Sequence, residues 1–237
     1  MSLFALSDTH LSLYNDKSME VFGNRWQDYA NKLDKGWRAV VTDRDTVVIH
    51  GDVSWGISLE EAKLDLLYLD SLPGQKIISK GNHDYWWSTA AKISQFFAEN
   101  NITTIKILHN NSFKADGVTV CGTRGWYSES KNAPREADYD KIVAREAGRL
   151  ELSVKEGLKA DPCGEIIAFL HFPPVYNDYV CTEIVDVLKK YGIKDVYYGH
   201  IHGVYNLPST VEYDGIRFNI ASADYLNFVP TLVRRGE

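Results

Sequence analysis

Aspartates, histidines and one asparagine recur along this chain in short clusters, each just after an apolar run. Ser7-Asp8-Thr9-His10 follows Leu3–Leu6, and His50-Gly51-Asp52 follows Thr46–Ile49. Gly81-Asn82-His83-Asp84 comes after Lys76–Ile78, His171 closes Ile166–Leu170, and Gly199-His200-Ile201-His202 follows Asp195–Tyr198. Of the seven histidines, His10, His83, His171, His200 and His202 stand in these clusters, His50 lies beside Asp52, and His109 lies outside them. Imidazole, carboxylate and amide oxygen together suit Mn, Fe, Zn or Co, whereas a soft-metal site would use thiolate. Cys121, Cys163 and Cys181 all lie outside the clusters.

These groups need elements that bring them to one place. Apolar runs of strand length alternate with helical patterns, which predicts an α/β fold. Ligands of open α/β sheets gather beyond the carboxyl ends of the strands, and every cluster stands at such an end. In Asp8-x-His10 and His200-x-His202, a loop just past the strand frees both side chains to turn toward one ion. Gly51, Gly81 and Gly199 precede the ligand groups, where a tight turn or close backbone approach is expected. Trp26, Ala30, Leu33, Trp37 and Val40 step at helical spacing. Ser58-Leu59-Glu60-Glu61 reads as a capping box opening a second helix. Val143, Ala147, Leu150, Val154 and Leu158 mark a third, running over Glu136–Ala160 and stopping before Asp161-Pro162. Strands at Val118–Cys121 and Ile216–Ile220, with strand pairs between Ile102 and Thr123, predict mixed sheets.

With 237 residues, 44% of them hydrophobic and 24% charged, a single domain over 1–237 with a substantial core is expected. Such a core needs no metal to fold, which leaves bound metal free for chemistry. The net charge of −6 and the lack of a basic run argue against general nucleic-acid binding. A nucleotide substrate stays open, because bound cations reverse the local sign. Widely spaced cysteines without CxxC predict a reducing compartment. The opening MSLFALSD lacks a signal-peptide pattern, and no run approaches a membrane span, so a cytoplasmic protein is expected. Nothing in the sequence speaks to oligomeric state.

The order DxH, GD, GNHD, a lone His and GHxH closely resembles the calcineurin-like metallophosphoesterase superfamily. Its five blocks run here from Asp8 to His202, most of the chain. Any one is weak, but five in order after strands are specific. The resemblance implies a four-layer α/β/β/α sandwich of two mixed sheets. It implies two divalent ions, manganese favoured: Asp8, His10 and His202 on the first, Asn82, His171 and His200 on the second, and Asp52 bridging them. His83 would approach the leaving group as proton donor or charge stabiliser, with Asp84 orienting its imidazole. Two such ions activate a shared hydroxide for in-line attack on phosphorus. The implied substrate is a small phosphodiester or phosphomonoester, and the alternative is a metal-stabilised binding module with little turnover.

The chain departs from the protein serine/threonine phosphatases, which follow GD with a second acid and an Arg. Here the block reads Gly51-Asp52-Val53-Ser54-Trp55-Gly56. Poor activity on phosphopeptides follows, with diesters hydrolysed at least as well as monoesters unless Arg124 supplies the missing clamp. Arg124 reads equally as a surface turn. Tyr85-Trp86-Trp87 reads as helix-start packing or as a pocket wall, His50 as a packed or supporting histidine, and His109 as surface.

Overall fold

Runs rich in Val, Ile and Leu, closed by polar turns, become strands, and the amphipathic stretches between them become helices. The computed structural model describes residues 1–14, 17, 19–127 and 138–236. In chain order they form β1 (Ser2–Leu6), α1 (Tyr29–Val40), β2 (Thr46–His50), α2 (Leu59–Ser71), β3 (Gln75–Ser79), α3 (Ala90–Glu99) and β4 (Ile105–Ile107). Then come β5 (Phe113–Ala115), β6 (Val118–Thr123), α4 (Tyr139–Ala160), β7 (Ile166–Leu170), β8 (Val175–Tyr176), β9 (Tyr179–Val180) and α5 (Thr182–Lys190). The chain ends in β10 (Asp195–Tyr198), β11 (Thr210–Tyr213), β12 (Ile216–Ile220) and β13 (Thr231–Arg235).

One sheet has the order β13-β1-β2-β3-β4 and the other β11-β12-β10-β7-β6-β5, with β8 and β9 forming a separate hairpin. In the first, β1 to β4 run parallel and β13 is antiparallel. In the second, β12, β10, β7 and β6 run parallel, and β11 and β5 are antiparallel edges. Strand alternation sorts the side chains into layers. Phe4, Leu6, Val47, Ile49 and Ile78 pack under α1, α2 and α3 beside Leu33, Trp37, Leu66 and Phe96. Leu3, Ala5, Val48 and Ile77 face the other way, onto Val120, Ile167 and Phe169 of the second sheet. Ile166, Ala168 and Leu170 then meet Leu150, Val154, Ile184 and Leu188 of α4 and α5. The four-layer sandwich expected from the sequence is the observed architecture.

Local differences have local causes. Trp26 is fully buried but precedes α1, because Gln27 is extended and Asp28 adopts a left-handed φ of 54°. The capping box of α2 forms with a shift: Ser58 accepts the Glu61 N–H, and Glu61 reaches back to the Ile57 N–H at 3.1 Å. α4 ends at Ala160 as predicted, while Glu136 lies outside the described residues. No described helix is long and apolar enough to cross a membrane.

The layer between the sheets sets how closely their edges approach. Phe169 is fully buried there, its ring stacked 5.4 Å from Tyr197. Phe169→Ala should cost about 3–5 kcal/mol of unfolding free energy in a denaturant titration. Leu232→Ala, at an exposed position of β13, should cost about 0.5 kcal/mol or less. Equal costs would show that the sheets are not packed as described.

Candidate metal centre

Parallel pairing places the carboxyl ends of β1, β2 and β3 opposite those of β7, β10 and β12. The two sheets are stitched together there: Ser7 N–H donates to the Ala221 carbonyl at 2.7 Å, and Ala223 N–H to the Ser7 carbonyl at 2.9 Å. Beyond the strands, Asp8 N–H donates to the Gly51 carbonyl and His10 N–H to the Asp52 carbonyl, both at 2.9 Å. Asp8, His10, Asp52 and His200 all have left-handed backbones, with φ of 61°, 44°, 51° and 70°. That conformation costs about 1–3 kcal/mol per non-glycine residue and concentrates at functional sites. It is how residues two apart turn to one point. Two glycines permit the approach of the sheets. A Cβ on Gly199 would collide with Ser7 Oγ and Asp8 Oδ2, and one on Gly51 with the His171 ring.

The seven predicted ligand residues converge. Ligand atoms of Asp8, His10 and His202 lie within 4.8 Å of one another, as do those of Asp8, Asp52 and His171. His10 Nε2 is 3.3 Å from His202 Nε2, which is 3.5 Å from Asp8 Oδ1. Asn82 Oδ1 is 2.6 Å from His171 Nε2 and 3.1 Å from His200 Nδ1. Asp52 Oδ2 lies between the two groups, 3.6 Å from His10 Nε2 and 3.5 Å from His171 Nε2.

Electrostatics test whether cations fit. Asp8, Asp52 and Asp84 are almost wholly buried. Burial, reinforced by the Asp84 and Asp8 charges, pushes Asp52 well above the usual carboxylate range. Burial also opposes the Asp8 charge, but His202 outweighs it and holds Asp8 well below that range. Burial keeps His10 and His171 well below the ordinary imidazole value and takes His200 to about 4, leaving neutral rings with lone pairs. His202 is pushed up to about 10, burial being overcome by Asp8 and Asp224. Asp52 Oδ2 is buried and has no hydrogen-bond partner among the described residues. An unpaired buried carboxylate oxygen flanked by neutral imidazoles is costly in a protein interior. Divalent cations would relieve it, and the donor set is of the type they take.

His83 sits beside the cluster, its N–H donating to Asp52 Oδ1 at 2.7 Å. Its ring packs 4.6 Å from Trp55 and 5.7 Å from His10. Burial and the Lys17 charge lower its pKa. Asp84 departs from its expected role, for its carboxylate does not orient the His83 ring. Oδ1 accepts from Val53 N–H at 2.9 Å, Ser54 N–H at 3.2 Å and Trp86 Nε1 at 2.9 Å, and Oδ2 from Gly81 N–H at 2.8 Å. Those bonds clamp the turn after β2 to the turn after β3, the segments that carry Asp52 and Asn82. The resemblance implied a contact with His83 that the turn directs elsewhere.

Two residues at the site were missed from the sequence. Asp224, fully buried past β12, accepts from His202 Nδ1 at 2.8 Å, Gly203 N–H at 3.0 Å and Tyr205 OH at 3.1 Å. The signal was available, since Ile216–Ile220 is another apolar strand ending in an acid. Trp55 stacks 4.9 Å from His10 and carries Lys17 Nζ 3.5 Å from its ring centroid. The other flagged residues separate. His50 is buried against Phe169, with burial taking its pKa to about 4. Tyr85 is exposed 6.1 Å from His83, Trp86 is buried, and Trp87 lines a neighbouring cavity together with His109 and Arg124. Arg124 is therefore neither a bare surface turn nor directed at the cluster; its guanidinium lies 3.8 Å from Glu146.

None of the curated proteins matches this chain. Among solved structures, phosphopantetheinyl hydrolase PptH from Mycobacterium tuberculosis aligns with a TM-score of 0.54 and 15% identity, over 98% of this chain and 95% of that one. TT1561 of Thermus thermophilus aligns with a TM-score of 0.56 and 12% identity, over 98% and 97% of the two chains. At these identities the likeness is one of fold. The calcineurin-like phosphoesterase family model matches residues 1–204, which contain every residue of the cluster except Asp224. On that match the chain belongs to the calcineurin-like phosphoesterase family.

Proposed function

We propose that the chain hydrolyses a small phosphodiester or phosphomonoester with two divalent ions, manganese favoured, held at the shared sheet edge. The observation that carries this is Asp52 Oδ2, buried without a hydrogen-bond partner among the described residues, between His10 Nε2 and His171 Nε2. Asp8, His10 and His202 would hold one ion, and Asn82, His171 and His200 the other, with Asp52 shared. When bound, such ions activate water and neutralise charge on the phosphoryl oxygens. Asn82 contributes a neutral oxygen, so the loaded site keeps a positive balance for phosphate. Asp224 fixes the His202 ring so that Nε2 faces the cluster. His83, held beside the cluster by its backbone N–H to Asp52 Oδ1 and by Trp55, would donate a proton to the departing oxygen once a bound phosphate's negative charge offsets the burial and the Lys17 charge that lower its pKa. The direct test is a screen of metal-loaded protein against nucleotides, cyclic nucleotides, sugar phosphates and aryl phosphates, with phosphopeptides expected to be poor substrates.

Removing metal with a chelator should abolish hydrolysis, and Mn²⁺ should restore it, while far-UV circular dichroism stays unchanged. Full activity in protein shown metal-free by elemental analysis would refute the reading.

His83→Ala should keep its metals and lose about 10²–10⁴-fold in kcat. Asp52→Ala should lose metal as well as rate. The opposite pattern of metal loss would reverse the two roles.

Asp84→Asn and Asp224→Asn test the supporting shell. Each should weaken metal affinity by about 10–100-fold, read by titration with a competing chelator. If Asp84→Asn lowers the rate with metal affinity intact, Asp84 serves His83 and not the two turns.

A further inference from the structure

The carboxyl edge holds a second recess, one strand further along each sheet. It is a cavity of about 440 Å³ beside the ends of β3, β4 and β6, roofed by α4. Among the described residues, Lys80, Arg124, Arg145 and Arg149 line it around one carboxylate, Glu146. Glu146 is fully buried and holds the group together. It accepts from Thr123 Oγ1 at 2.6 Å and Arg149 Nη1 at 2.8 Å, with Arg145 Nε at 3.6 Å and Arg124 Nη2 at 3.8 Å. One carboxylate balances one of these cations, so the described lining is strongly positive in a chain of net charge −6.

The unused polar groups point to the same ligand. Arg124 Nε and Ser79 Oγ are buried without hydrogen-bond partners among the described residues, and Ser79, which lines the cavity, is only 1% exposed. Guanidinium and ammonium groups only donate, so the complement is an acceptor-only oxyanion with several oxygens. Forked Arg donors match phosphate in this way. The volume falls within the range of small-molecule sites, roughly 300–1,000 Å³, so there is room for more than one phosphate group. Trp87 supplies an apolar wall for the body that carries it.

The recess lies on segments that lead directly into the metal centre. Lys80 stands two residues before Asn82, and the Arg124 carbonyl accepts the N–H of Phe172, next to His171, at 2.9 Å. We propose that this cavity binds a second phosphate group of the substrate while the scissile ester lies at the metal centre. The substrate class is then a small bis-phosphorylated compound, an inference that rests on the phosphoesterase reading. Glu146 acts as a positioning residue that gathers the arginines.

The test has a binding arm and a kinetic arm. Protein stripped of metal, with the chelator then dialysed away, is titrated with inorganic pyrophosphate by calorimetry. Sensitivity to Arg145 and Arg149, which line the cavity and not the centre, assigns the binding to the cavity. Saturable binding is expected, weakened about tenfold or more in each of Arg145→Ala and Arg149→Ala. Both side chains are partly exposed, at 52% and 37%, and thermal melts verify that the variants fold. No binding, or equal binding in folded variants, overturns the proposal.

In the kinetic arm, metal-loaded enzyme is given sugar and nucleoside bisphosphates and their matching monophosphates. At least one bisphosphate should exceed its monophosphate about tenfold in kcat/KM, through KM, and the ratio should fall toward one in both variants. Equal kcat/KM across all the pairs, or a ratio that neither variant alters, overturns the proposal. Hydrolysis of no phosphoester at all refutes the phosphoesterase reading and the substrate assignment with it. Pyrophosphate binding lost in the variants would then still support an anion site in the cavity.

Discussion

The His200 backbone N–H donates to the Asp8 carboxylate across the gap between the two sheets, 2.9 Å from Oδ2, and the candidate centre depends on that narrowness. Packed sheets ordinarily stand about 10 Å apart, too far for loops on opposite sheets to share an ion. Here the parallel strands converge at their carboxyl ends, where Ser7 pairs with Ala221 and Ala223 as if one strand continued into the other sheet. Any side chain on Gly199 or Gly51 would force the edges apart. The layer of Leu3, Ala5, Val48, Ile167 and Phe169 holds the same spacing from below. Core packing and site geometry are therefore one constraint.

That constraint brings an electrostatic cost. Asp8, Asp52 and Asp84 are buried near one another, and only part of the cost is met within the protein. Asp84 commits its oxygens to backbone N–H groups and the Trp86 ring, and Asp8 takes the His200 N–H and the charge of His202. Among the described residues, Asp52 has one N–H, from the His83 backbone, on Oδ1 and no hydrogen bond on Oδ2. The deficit falls on the one carboxylate placed between the two imidazole groups. Four strained left-handed residues in the same loops follow the same logic, since local stability is given up where ligands must converge. The helix-side cores, around Trp37, Leu66 and Leu150, lie away from this edge and carry the stability that offsets it.

The sequence discloses what strand ends disclose. Asp8, His10, Asp52, Asn82, His171, His200 and His202 were legible because parallel strands share a direction, so polar groups after apolar runs must meet at one edge. The same rule reached Ile216–Ile220 and would have found Asp224 had it been followed past the strand. Other features depend on distances that spacing does not carry. Asp84 neighbours His83 in sequence, yet its turn aims the carboxylate back at Gly81 and Val53. Trp55 reads as an aromatic in a divergent phosphatase block, and only the folded loop stacks it on His10 and His83. The edge strands β11 and β13 were not legible, because their residues are largely exposed and lack the alternation of a strand with one buried face.

Charge is distributed along this edge with a direction. Acids and imidazoles occupy the middle, at the ends of β1, β2, β7, β10 and β12. Lys80, Arg124, Arg145 and Arg149 gather on the side of β3, β4 and β6. Because the protein is acidic overall, this recess is a local positive field against a negative background, an arrangement that concentrates anions where it occurs. Metal at the centre would extend that field toward the β1 side, whereas the bare carboxylates oppose it. The two regions share β3, which contributes Ser79 and Lys80 to one and leads into Gly81-Asn82 at the other. The short segment from Ser79 to Asn82 joins the two regions through the backbone.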